Sequence, residues 1–166
     1  MRFALAISML SLAACGDVAR LEVDLRFPSA DLQQTVQQLL VVVREPAPAG
    51  DPCEPLWGAP PANLGQYARL VDYPNSSDIV AAPLKTGRYT VFVYALGERF
   101  DTLCESDADC VVSGVGPSCR PLPGGQRACT PSVGPSNTLA GGCGQNAVSE
   151  TETNQLFIQL DPPPGS

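Results

Sequence analysis

The sequence predicts an all-β protein, an antiparallel β-sandwich interrupted by a disulfide-rich loop insertion. Three observations carry that expectation. Short apolar runs recur along the chain, alternating or continuous, with almost no helical period between them. Seventeen prolines and fifteen glycines punctuate the 166 residues and mark frequent turns. Of the seven cysteines, five fall between residues 101 and 144, a stretch poor in apolar side chains.

Residues 1–14 read as a signal peptide. Arg2 supplies a positive start, and Phe3 to Leu12 form an apolar run broken only by Ser8 and Ser11. A membrane-spanning helix needs about 20 apolar residues, so this run is too short to cross a bilayer. Leu12-Ala13-Ala14-Cys15 resembles a bacterial lipobox. The resemblance implies cleavage before Cys15, a diacylglycerol on its sulfur and an acyl group on its new amino terminus. Two or more acyl chains hold a soluble domain stably on a membrane, each buried methylene contributing about 0.8 kcal/mol. Residues 15–20 then form a tether. In that lipoprotein family an aspartate directly after the cysteine marks inner-membrane retention. Here Gly16 holds that place and Asp17 follows, so the resemblance implies the outer membrane or cell surface, facing the periplasm or exterior. The plainer alternative is an ordinary secretory signal with Cys15 lying just past its cleavage site.

The folded domain is expected over residues 21–160, interrupted by a cysteine-rich insertion at 101–144 and followed by a tail at 161–166. Leu21 to Phe27 alternates apolar and charged residues, the pattern of a half-buried strand. Ser29 is placed to cap a helical turn or two around Asp31 to Val36. Leu39 to Val43 is continuously apolar and suits a central strand. Glu45 to Asn63 is rich in Pro, Ala and Gly and reads as a long loop. Tyr67 to Tyr73 and Asp78 to Leu84 are weaker strands, the second at an edge because of Pro83. Gly87 to Leu96 is the strongest strand, with Tyr89, Val91, Val93 and Ala95 on one face and Phe92, Tyr94 and Leu96 on the other. Gln155 to Leu160 is the last strand, with Leu156, Ile158 and Leu160 inward.

Gly87-Arg88-Tyr89-Thr90-Val91 is similar to the strand entry of transthyretin-like and carboxypeptidase-regulatory-like sandwiches. That resemblance implies a prealbumin-like sandwich, a module that serves as a spacer, binding surface or accessory domain.

Beyond Cys15, six cysteines remain: Cys53, Cys104, Cys110, Cys119, Cys129 and Cys143. An even number in an exported chain reads as three disulfides, and six cysteines allow fifteen pairings that sequence does not distinguish. A zinc site is the competing reading, but there is no C-x-x-C pair and no histidine. Cys104-Glu105-Ser106-Asp107-Ala108-Asp109-Cys110, followed by Cys119 and Cys129, resembles a Dickkopf-type four-cysteine module. It departs from that pattern in its five-residue first interval and long later spacings. With that module in view, the working pairing is Cys104 with Cys119 and Cys110 with Cys129, leaving Cys53 for Cys143. Loops of about 15 residues contribute roughly 3 kcal/mol each by chain entropy, and longer loops somewhat more.

The absence of histidine excludes Ser-His-Asp and Cys-His catalysis, and phosphate loops and dinucleotide fingerprints are missing. Seventeen acidic against ten basic residues, with no basic cluster, argue against nucleic-acid binding. Asp101, Glu105, Asp107 and Asp109 form an acidic cluster whose oxygens are suited to calcium, although Asp107 and Asp109 equally suit turn capping. Trp57 packs over a disulfide or closes the end of the core, the alternative being a ring that stacks on a ligand. The function expected is a non-catalytic, tethered module binding a protein or a glycan. A calcium-dependent binding module is the alternative, and a hydrolase of unrecognised type ranks below it.

Overall fold

The computed structural model describes residues 19–46, 49–58, 68–74, 84–113, 116–122, 125–150 and 154–165. In chain order its elements are β1 (Leu21–Arg26), α1 (Ala30–Thr35), β2 (Gln38–Arg44), α2 (Pro55–Gly58), β3 (Ala68–Asp72) and β4 (Gly87–Leu96). They continue with α3 (Asp107–Ser113), β5 (Ser118–Pro121), β6 (Arg127–Thr130), β7 (Ala140–Val148) and β8 (Asn154–Gln159). The protein is all-β in character, its helices being short connectors. Among the described residues, no helix is long and apolar enough to cross a membrane.

The centre is a four-stranded antiparallel sheet in the order β3-β2-β4-β7. β2 and β4 are continuous apolar runs because each has neighbours on both sides and packing on both faces. Their register sets Val41 opposite Val93 and Val42 opposite Phe92, so successive side chains serve opposite faces.

On one face Leu39, Val41, Val43, Val91, Val93 and Ala95 pack against Leu21 and Val23 of β1 and Leu156 and Ile158 of β8. The alternating pattern of β1 follows from this: Leu21 and Val23 are buried while Glu22 and Asp24 face water. α1 closes one part of this layer through Leu32, and Ser29 caps it by accepting from the Leu32 N–H at 3.1 Å.

β1 and β8 pair in parallel, Leu21 with Asn154 through Arg26 with Gln159, where the sequence reading expected antiparallel pairing throughout. The two strands lie at opposite ends of the described chain, so no hairpin joins them and nothing forces opposite directions. β8 then turns toward β7, where Gly141 and Asp161 exchange backbone hydrogen bonds at 2.9 Å. Asp161, the first residue after the expected domain end, thus bridges to β7.

Three strands, β5, β6 and β7, form or begin within the 101–144 stretch expected as a loop insertion, and β7 continues past its end. The Ala-Gly-Gly-Cys-Gly start of β7 lacks the branched residues that mark strands. Close approach explains the glycines: a Cβ on Gly142 would stand 2.4 Å from the Gln159 carbonyl oxygen. The expected strand at 78–84 lies outside the described residues except for Leu84, which bridges to Ala19.

The second face of the sheet carries Leu40, Val42, Leu70, Phe92, Tyr94 and Leu96. Ala128 and Val133 from the cysteine-rich segment cover it, with Phe100, Leu122 and α2's Leu56 and Trp57 at the margins. The segment is thus a third layer lying on the sheet. Its disulfides, the β5–β6 ladder and side-chain bonds to its backbone add to its cohesion.

Candidate functional site

Three disulfides organise this layer. Cys104 joins Cys119, Cys110 joins Cys129, and Cys53 joins Cys143 across 90 residues of chain. The first two interlace. Cys119 and Cys129 stand opposite each other on β5 and β6, and their partners reach them from the Cys104 loop and from α3. Cys110, Cys119 and Cys129 are fully buried, and Cys104 is partly exposed. The third disulfide ties the start of α2 to β7, because Cys143 alternates with Gly142 and so faces the second side of the sheet.

The acidic residues are used locally. Asp109 accepts from the backbone N–H groups of Ser106 at 2.8 Å and Glu105 at 2.9 Å, and these bonds hold its carboxyl below the usual carboxylate range. Asp107 accepts from the Cys119 N–H at 2.7 Å and faces the Arg120 guanidinium at 3.8 Å. Among the described residues, the one set of three potential metal ligands in mutual reach is Cys104, Cys110 and Cys129, whose sulfurs are in disulfides. Asp101, Glu105, Asp107 and Asp109 do not converge to that degree.

Trp57 is half-buried. Its ring meets Tyr94 edge-on, with centroids 6.2 Å apart, and occupies the space left by the missing side chain of Gly141. Tyr94 itself is fully buried, and desolvation pushes its phenol up to about 12. Its hydroxyl donates to the Leu56 carbonyl at 3.4 Å. Cys15 and the leader lie outside the described residues.

Two adjoining clefts open where the cysteine-rich layer leaves the sheet, and no single stretch of sequence pointed to them. The first, about 330 Å3, has Gln38, Asp72, Arg99, Phe100 and Asp101 on its walls. The second, about 520 Å3, has Cys104, Glu105, Asp109 and Arg127. Leu103 and Gln126 belong to both. Volumes of this order suit a small ligand or a few residues of a chain.

The floor is a fixed polar network. The buried Gln38 amide donates to Asp72 at 3.2 Å and accepts from the Phe100 N–H at 3.0 Å, while Arg99 pairs with the other Asp72 oxygen. Gln38 anchors β2, Asp72 ends β3 and Arg99 follows β4, so three strand ends build the site. Arg127 donates to the carbonyls of Glu105 and Cys119, both at 3.1 Å, and braces the opposite wall. The chemistry available is hydrogen bonding and charge recognition. No family model, no curated protein and no solved structure matches the chain.

Proposed function

We propose that this chain is a membrane-anchored, extracytoplasmic lipoprotein acting as a non-catalytic binding module for a protein or glycan partner. Its fold is read as a prealbumin-like sandwich carrying a four-cysteine insertion. One observation carries the reading: six of the seven cysteines are paired with one another, and the one left over is Cys15. Three disulfides persist in an oxidising compartment, and an unpaired cysteine there needs a separate role. Its place in Leu12-Ala13-Ala14-Cys15 supplies that role, lipid attachment. The net charge of −7 repels anionic lipid, so the acyl chains do the anchoring and leave the domain free to meet partners. The two-cleft groove is the candidate contact surface.

The test is intact-mass analysis of the native chain from the membrane fraction, beside Cys15→Ser. A mass starting at a triacylated Cys15, with the variant retaining its leader, is the expected result. An intact Met1 with seven free thiols removes the proposal.

A further inference from the structure

The backbone at Leu103 has a feature that the binding-module reading does not by itself require. Thr102 to Cys104 lies antiparallel to β6: the Cys104 N–H donates to the Arg127 carbonyl at 3.1 Å, and the Cys129 N–H donates to the Thr102 carbonyl at 2.9 Å. Leu103 sits between these bonds opposite Ala128. In that geometry the Leu103 N–H and carbonyl point away from β6. Among the described residues no backbone hydrogen bond reaches either group. The Leu103 side chain is 58% exposed and is common to both clefts. Leu103 therefore keeps one unpaired N–H and one unpaired carbonyl on the side away from β6, and it lines both clefts.

The groove also has a sign. Its walls hold four carboxylates, Asp72, Asp101, Glu105 and Asp109, against two guanidinium groups, Arg99 and Arg127. Arg99 is committed to Asp72, and Arg127 to two backbone carbonyls. Asp101 and Glu105 are exposed at the rim. Anionic ligands are disfavoured, and cationic side chains are complemented. Phe100 is the sole aromatic on the walls and is half-buried, so the groove offers no open ring face for sugar stacking.

We infer that this side of Leu103 takes an extended basic segment of a partner protein by strand addition. The Leu103 N–H and carbonyl pair with its backbone, and lysine or arginine side chains reach Asp101 and Glu105. Main-chain pairing supplies affinity, and the clefts supply the choice of side chains. This assignment rests on the binding-module reading and names the partner class for its groove.

The experiment uses the full chain in uncharged detergent micelles. Labelled peptides of about ten residues, alternating valine with lysine, serine or glutamate, are titrated by fluorescence anisotropy. The lysine peptide binds, the glutamate peptide binds at least tenfold more weakly, and added salt weakens the lysine peptide. Methylating alternate backbone amides of the lysine peptide, in both registers, abolishes binding in one of them. The exposed-site variant Asp101→Lys/Glu105→Lys reverses the charge preference. No binding by the lysine peptide, equal binding by both methylated forms and their parent, or an unchanged charge order in the variant each overturns the assignment. Binding of a neutral oligosaccharide in place of any peptide also overturns it, while leaving the module reading intact. That broader reading fails on the mass of the native chain, not on this titration.

Discussion

Gly142→Ala is the sharpest test of how the layers meet. The new methyl would stand 2.4 Å from the Gln159 carbonyl oxygen, 2.5 Å from Ile158 Cγ2 and 2.9 Å from Leu160 Cδ2. The first contact is backbone, so no rotamer change relieves it, and β8 must retreat by about 1 Å to reach ordinary contact. Ile158 and Leu160 are 1% and 0% exposed, and retreat loosens both. Overpacking of this kind costs about 1–3 kcal/mol. The smaller unfolded-state entropy of alanine returns about 0.4–1 kcal/mol. A net loss of about 1 kcal/mol follows. Gly134→Ala is the control, since nothing lies within 4 Å of its would-be Cβ, and its effect stays within about 0.5 kcal/mol. Urea unfolding followed by circular dichroism, with slopes compared so that midpoints report stability, measures both. A Gly142→Ala protein as stable as its parent refutes the close approach of β8 to β7.

Cys53→Ser/Cys143→Ser opens a 90-residue loop and destabilises by about 4–5 kcal/mol in the chain-entropy treatment, read from the same unfolding curves. Peptide mapping without reduction still finds the other two pairs. Trp57→Ala removes an edge contact to Tyr94 and uncovers the second face, a loss of about 2–3 kcal/mol in denaturant unfolding. Tyr94, raised by burial, contributes stability that is complete below its ordinary value of 10.0 and is lost as pH rises through about 12. Tyrosinate absorbance during alkaline titration should show one phenol ionising late and together with unfolding. Asp109, lowered by its backbone bonds, contributes stability above the ordinary value of 3.8 and loses it as pH falls through its lower folded value. Asp109→Ala should therefore be less stable than its parent at neutral pH, the gap closing in acid, as thermal melts across the acid range would show.

Strands β2 and β4 were legible because burial on both faces demands unbroken apolar runs, and no other role explains Leu39 to Val43 or Tyr89 to Leu96. β1 and β8 were legible through alternation. β7 was not, because its glycines serve the approach of another strand, and composition alone reads such glycines as loop. The cysteine-rich segment looked like an appendage for a similar reason. Ala128, Val133 and Leu122 are too scattered to form a pattern, yet they converge on one sheet face. The acidic residues were visible as a cluster in sequence, but their partners were not: Asp109 accepts from the amides of Glu105 and Ser106 close by, and Asp107 from that of Cys119 on another element.

By itself the sequence determined the all-β character, the main strands with their buried faces, the number of cysteines available for pairing and the lack of histidine chemistry. These depend on periodicity and composition, which are local properties. Only the tertiary structure decided the parallel meeting of β1 with β8, the layer made by the cysteine-rich segment, and the groove that joins Gln38, Asp72, Arg99, Leu103 and Arg127. Those residues are far apart along the chain, and a cleft is a relation among distant surfaces that no local pattern encodes.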